Sequence, residues 1–156
     1  MSDKDAYTTN TGIQQEPRRR QQMNNTPLSE FAGRLRAKNR INFADVQRLQ
    51  RDVLPDGIAS RADAELLISL DRNVSRSNSE WERWLVAMVV DFVVWTERPT
   101  GVVHEDTAFW LAAALKGKGA RATKTGRLIA REVVQEAEAF ENEALAAAQS
   151  PSERHV

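Results

Sequence analysis

The chain has 156 residues, 41% hydrophobic and 28% charged, which suits one folded domain with one core. It contains no cysteine, which excludes disulfides, thiolate metal sites and a cysteine nucleophile. Its net charge is zero, and basic and acidic stretches alternate, which argues against a nucleic-acid-binding surface over the whole protein.

The two ends of the chain differ in composition from the middle. Residues 1–25 are polar and contain few large apolar side chains, so we predict a disordered tail there, and a second one at 149–156. A single all-α domain is expected over 26–148. The longest apolar run falls well short of the roughly 20 residues that span a bilayer, and the first residues lack the apolar core of a secretion signal. We therefore expect a cytoplasmic protein without a membrane span.

Helical spacing of apolar residues predicts the first two helices. Thr26 is a suitable N-cap before Pro27, and Asn42 is a suitable N-cap for the second helix, which Pro55 and Gly57 end. The apolar stripes that define the two helices are Leu28, Phe31 and Leu35, then Phe43, Val46, Leu49 and Val53.

Two capping boxes predict where the next two helices begin. Ser60 with Asp63 opens the third helix, and Ser79 with Glu82 opens the fourth. The fourth helix is apolar nearly all round, as expected for a helix central in a bundle or buried in an interface, although its valines leave a strand as a rival. Its main stripe contains Trp81, Trp84, Leu85, Met88, Val89, Phe92 and Trp95.

Two more helices follow, one ending at Gly117 and one running from about Gly126 to Ala148. Within the stretches Leu54–Leu70 and Pro99–Leu115, alignment at the glycines with an offset of 44 places Gly57 on Gly101 and Ser60 on His104. Together these patterns predict an all-α helical bundle of five to six helices built on two helix-turn-helix hairpins.

The pattern of a long apolar helix, a Gly-containing turn, a β-branched residue and an acid-rich helix start resembles the TerB-like helical domains of tellurite-resistance and stress-associated bacterial proteins. The residues that carry the resemblance are "AMVVDFVVWTERPTGVVHEDTAFWLAAAL" and "VQRLQRDVLPDGIASRADAELL". The first hairpin keeps the Asp-Gly turn of the family as Asp56-Gly57, whereas the second has Thr100-Gly101. The resemblance implies a helical fold and a stress-response or envelope-associated role. The chain also resembles small helical bacterial proteins without an assigned activity, and that resemblance implies a fold and no activity.

One candidate site is a divalent-metal loop in the first hairpin. If Gly57 is the sixth position of an EF-hand loop, Asp52, Asp56, Ser60 and Asp63 occupy positions one, five, nine and twelve, where oxygen ligands for calcium belong. Leu54 stands where the third ligand belongs. The alternative is that Asp56-Gly57 forms a turn and that Ser60 and Asp63 cap the next helix.

Basic residues cluster between the last two helices and define a second candidate site. The segment could contact phosphates or a nucleic-acid backbone, but it is not a P-loop and no aromatic residue is interleaved for base stacking. The alternative is a solvated connection between helices. Its basic residues are Lys116, Lys118, Arg121, Lys124 and Arg127.

A third candidate is a partner-binding surface on the fourth helix, formed by Trp81, Trp84, Met88 and Trp95, because aromatic residues are enriched in protein interfaces. Asp91 lies in the same helix, either as a buried acid or on a polar strip facing solvent. His104 could form half of a zinc site with Glu105 and Asp106, or simply begin a helix.

These observations rank the functions. We expect a non-enzymatic protein that binds a protein partner or a second copy of itself, through an apolar helix surface or the glutamate-rich last helix. A metal sensor is the second hypothesis, with calcium or another divalent ion as its only cofactor, and a nucleic-acid-associated protein is the third. An enzyme ranks last because the sequence contains no evident catalytic constellation.

Overall fold

The structure is a computed structural model that describes residues 26–97, 100–118 and 121–149. Over these residues the chain forms six helices and two very short strands, which confirms the all-α prediction. The predicted tails lie outside the described residues, except that Gln149 is the last residue of the final helix. The elements are α1 (Pro27–Lys38), β1 (Arg40–Ile41), α2 (Phe43–Arg48), α3 (Arg61–Asn73), β2 (Arg76–Ser77), α4 (Ser79–Val90), α5 (Glu105–Lys116) and α6 (Lys124–Gln149).

The first two helices begin at the predicted caps. Thr26 Oγ1 accepts a hydrogen bond from the backbone N–H of Ser29 (3.1 Å), and Pro27 follows at the first helical position. At α2, Asn42 Oδ1 accepts from Asp45 N (3.0 Å), while Asp45 Oδ2 accepts from Asn42 N (2.9 Å). This complete capping box satisfies the buried Asp45 carboxylate, which also binds Lys38 Nζ at 2.6 Å.

The third and fourth helices begin differently from the predicted boxes. Ser60 Oγ accepts from Asp63 N (3.2 Å), and this is the one bond of the predicted Ser60–Asp63 box found among the described residues. The prediction of Ser79 as N-cap is wrong, because Asn78 Oδ1 accepts from Trp81 N at 3.0 Å and α4 begins one residue earlier. Asn and Ser are comparable N-caps, so the sequence did not separate them.

Two successive units of the chain each contain a strand, a helix and a glycine turn. β1 and β2 pair in parallel, with Arg40 opposite Arg76, and the helix after each strand ends in a π-helical turn, at Leu49–Val53 and Asp91–Thr96. Gly57 (φ 85°) and Gly101 (φ 81°) then lie in left-handed turns. The helical stretch between strand and turn is longer in the second unit, 79–96 against 43–53 in the first.

One hydrophobic core contains side chains from all six helices, including Leu35, Leu49, Leu67, Leu85 and Ile129. Phe43, predicted to belong to the inner stripe of α2, is instead 53% exposed, because it is the first residue of the helix and lies outside the packed stretch that Val46 and Leu49 occupy. Among the described helices, none is long and apolar enough to cross a membrane.

Candidate functional site

The predicted calcium ligands do not come together. Asp52, Asp56 and Ser60 are exposed, Asp63 is half-buried, and Ser60 is engaged in capping α3. Within residues 26–97, 100–118 and 121–149, no three His, Asp or Glu side chains form a group that could hold a metal ion. The Leu54–Leu70 stretch therefore forms a turn and a helix start in this structure, and the metal hypothesis gains no geometric support.

The prediction that Trp81 and Trp84 present a partner-binding surface is wrong. Trp81 is fully buried and Trp84 is 6% exposed, and their rings pack at 5.7 Å between centroids. Met88 is half-buried, so of the four predicted residues Trp95, at 37% exposure, is the most accessible. A helix that is apolar nearly all round does not reveal in its sequence which side other helices will cover.

The remaining predicted residues lie at the surface. Lys116, Lys118, Arg121, Lys124 and Arg127 are all exposed around the α5–α6 connection, and Arg127 donates to the carbonyl of Ala122 at 3.3 Å. Asp91 is exposed rather than buried. His104 occupies the N-cap position of α5, but its side chain makes no capping hydrogen bond to the described part of the chain.

An ion-pair cluster that the sequence analysis missed joins the two hairpins, and we call it the Arg61 clamp. Arg61, at the start of α3, donates from Nε to Glu97 Oε1 (2.6 Å) and from a terminal nitrogen to Glu97 Oε2 (2.9 Å). The same nitrogen donates to Thr107 Oγ1 (2.9 Å) and to Asp106 Oδ2 (3.2 Å), at the start of α5. The guanidinium also lies 5.0 Å from the ring centroid of Trp110.

The clamp shifts the protonation of both its partners. The bidentate hydrogen bonds from Arg61 lower the pKa of Glu97 below its ordinary value, and burial only partly opposes this. The same bonds raise the pKa of Arg61, so this side chain stays charged. One guanidinium therefore links the start of α3 both to Glu97, just after the π-helical turn Asp91–Thr96, and to the start of α5.

We predict that Glu97→Gln destabilises the fold and that the effect depends on pH. A carboxyl with a lowered pKa contributes stability above its unfolded pKa of about 4.3, and that contribution disappears as pH falls through the folded pKa. We expect a loss of about 1–2 kcal/mol at pH 7, reduced by partial exposure of the pair. Urea unfolding of wild type and Glu97→Gln at several pH values between 7 and 3 measures the difference in unfolding free energy.

The matched control is Glu143→Gln, at an exposed position of α6. This change should leave the free energy of unfolding nearly unchanged at every pH. A difference between wild type and Glu97→Gln that stays constant down to pH 3 would contradict the role assigned to the clamp.

An apolar groove lies between α5 and α6. It encloses 640 Å³ and is lined by small and branched aliphatic side chains, with Glu138 and Glu141 as its charged members. Val102 and Val134 line it and are 47% and 54% exposed, which leaves apolar surface open to solvent. The lining residues include Ala108, Leu111, Ala112, Leu115, Ala130, Val133, Ala137, Phe140 and Ala144.

The Gly101 turn lines this groove. Phe140 packs over Gly101 and meets Trp95 edge-on, with 5.4 Å between ring centroids. Trp95 Nε1 also donates to Glu136 Oε1 at 3.3 Å. These contacts hold the middle of α6 against the end of α4, and every residue of α6 from 141 to 149 is exposed.

A second groove, of 470 Å³, lies on the opposite side of α6, against α4. It contains Trp95 and Asp91, and its charged residues are mainly acidic. Trp95, one of the predicted partner-binding side chains, therefore lines an open groove.

Comparison with protein-family models, curated proteins and solved structures finds no match to this chain. The sequence signal that could have indicated the α5–α6 groove is the run of small residues at Ala112–Ala114, combined with alanines at helical spacing on α6. Small side chains on two neighbouring helices leave space between them, but the size of that space depends on how the helices pack.

Proposed function

We propose that this chain is a non-enzymatic protein–protein interaction domain whose α5–α6 groove receives an amphipathic helix. The observation that carries the proposal is the 640 Å³ groove between two helices, with exposed Val102 and Val134 in its lining. A helix can place its apolar face in such a groove, with anchoring residues at positions i, i+3, i+4 and i+7.

The chemistry of the lining favours a helix over a small-molecule substrate. Ligand and substrate sites usually combine apolar walls with a few polar groups that orient the ligand. In this groove the charged side chains are the exposed Glu138 and Glu141, which suit the ionic rim of a protein interface. The resemblance to TerB-like domains adds a stress-associated role in the bacterial cytoplasm to the proposal.

Site-specific photocrosslinking in the cells that produce the protein tests this proposal. A photoreactive phenylalanine analogue at Ala112, which is exposed and lines the groove, should give covalent adducts with a bound protein. Mass spectrometry of the adduct identifies the crosslinked protein and the segment that lies in the groove.

Ala113 provides the matched control, because it is the next residue along the same helix, is also exposed, and does not line the groove. We expect adducts from Ala112 and none from Ala113. If neither position gives an adduct, or both give the same adducts, binding through the groove is refuted.

A further inference from the structure

One face of α6 carries an ordered stripe of exposed residues. They follow one another at steps of four and three, which places them on a single face of the helix. All six are exposed, and the two apolar members, Val134 and Leu145, are 54% and 53% exposed. The stripe consists of Arg127, Arg131, Val134, Glu138, Glu141 and Leu145.

The order of charges on this stripe disfavours an isolated helix. Arg127 and Arg131 are like charges at i and i+4, and Glu138 and Glu141 are like charges at i and i+3. Such neighbours repel each other on a helix surface, so the stripe gains nothing from its own internal pairing. Along the helix, the stripe runs from basic residues through a central valine to acidic residues. A partner surface that presents acidic residues first and basic residues last would therefore complement it.

That reverse order belongs to the same helix running in the opposite direction. In two antiparallel copies of α6 that cross at Val134, Arg127 of one copy lies opposite Glu141 of the other, seven residues from the centre on either side. Arg131, three residues before the centre, meets Glu138, four residues after it. A two-fold axis requires such a self-complementary patch, whereas parallel copies would place arginine against arginine.

We infer that a second copy of this chain occupies the rim of the α5–α6 groove, through antiparallel pairing of the two α6 helices about Val134. The inference rests on the proposed function and names its partner. Val134, Glu138 and Glu141 belong both to the stripe and to the groove lining, so the second helix covers the groove edge. Ala130 and Ala137, on either side of Val134, allow close approach of the two backbones.

The length of α6 supports the same arrangement. Residues 141–149 continue the helix beyond Phe140, and each of them is exposed. A helical stretch of this length gains little stability in water without packing. In the antiparallel pair the two helices overlap over residues 124–144, so the basic beginning of the partner helix lies along Glu141 and Glu143.

Cysteine crosslinking tests the geometry, because the chain has no cysteine of its own. Val134→Cys should form a disulfide-linked dimer under mild oxidation, since the two Cα atoms at the axis lie within about 7 Å. Leu145→Cys is the matched control, on the same stripe and equally exposed. Its two copies lie about 33 Å apart in the antiparallel pair and should not link.

Charge reversal tests the pairing by sedimentation equilibrium. The double variant Arg127→Glu and Arg131→Glu should raise the dissociation constant of the dimer at least about tenfold, because like charges then face each other. Adding Glu138→Arg and Glu141→Arg to the same chain restores every opposite-charge pair and should restore the dimer. Helical circular dichroism of each variant verifies that the fold is retained.

The outcomes separate this inference from the proposed function. Linking at residue 134 and not at 145, together with rescue by the fourfold charge swap, supports the antiparallel dimer. Equal linking at both positions, or none at residue 134, overturns it. If Ala112 crosslinks to a different protein while Val134→Cys stays monomeric, the proposed function stands and the dimer inference fails.

Discussion

Replacing Trp81 with alanine will cost about 3–5 kcal/mol of unfolding free energy, the range for removing a large aromatic side chain from a packed core. Trp81 is fully buried, stacks beside Trp84 and donates from Nε1 to Asp71 Oδ1 at 2.9 Å. The substitution leaves a cavity and removes one hydrogen bond from a half-buried carboxylate. Since small domains are stable by about 5–15 kcal/mol, this loss is a large fraction of the total.

Urea unfolding followed by circular dichroism measures this loss without depending on tryptophan fluorescence. Trp95→Ala is the control, because Trp95 is 37% exposed and packs at the surface against Phe140. We expect its cost to be less than half that of Trp81→Ala. If Trp95→Ala costs more than Trp81→Ala, the packing around Trp95 contributes more to the stability of the core than the packing around Trp81.

Trp81→Phe separates the hydrogen bond from the volume that the indole fills. Phenylalanine retains most of the apolar contact with Trp84 but cannot donate to Asp71, so we expect a cost of about 1–2 kcal/mol. Asp71 Oδ2 continues to accept from Thr123 Oγ1 (2.8 Å), which links α3 to the start of α6. The indole and Thr123 thus connect three helices through one carboxylate.

Helix caps and glycine turns could be predicted from the sequence, because they depend on residues close together in the chain. Thr26, Asn42 and Ser60 cap helices as predicted, because a cap binds a backbone N–H only three residues away. Gly57 and Gly101 adopt the left-handed conformation expected of a glycine turn. Where two suitable caps are adjacent, as at Asn78 and Ser79, local chemistry does not choose between them.

What depends on packing was not predictable from the same patterns. Arg61 is 36 residues from Glu97 and 46 from Thr107, so the clamp exists only after the two hairpins meet. Trp81 and Trp95 belong to one apolar stripe, yet the first is buried and the second lies at a groove. The stripe on α6 is visible in the sequence, whereas its exposure follows from how α4 and α5 cover the other faces of that helix.

Gly101→Ala changes a turn that lines the α5–α6 groove. Gly101 has φ 81°, a conformation that costs a residue with a Cβ atom about 1–2 kcal/mol. An added Cβ would also overlap the ring of Phe140, which must then leave its place beside Trp95. With the cost of this displacement, Gly101→Ala should lose about 2–4 kcal/mol by urea unfolding.

The repeated turn supplies an internal control for this prediction. Gly57 has nearly the same φ, 85°, but the nearest atom to an added Cβ is Met88 Sδ at 3.7 Å, an ordinary contact distance. Gly57→Ala should therefore lower the free energy of unfolding by the cost of the backbone conformation alone, about 1–2 kcal/mol. The difference between the two substitutions isolates the contact with Phe140.

A double-mutant cycle with Phe140→Ala completes the test. Once the ring is removed, Gly101→Ala should cost no more than Gly57→Ala, because only the backbone term remains. If Gly101→Ala lowers the free energy of unfolding equally with and without the ring, Phe140 does not restrict the side chain at position 101. The groove wall would then depend on the packing of α5 against α6 alone, and the Gly101 turn would not position the centre of α6.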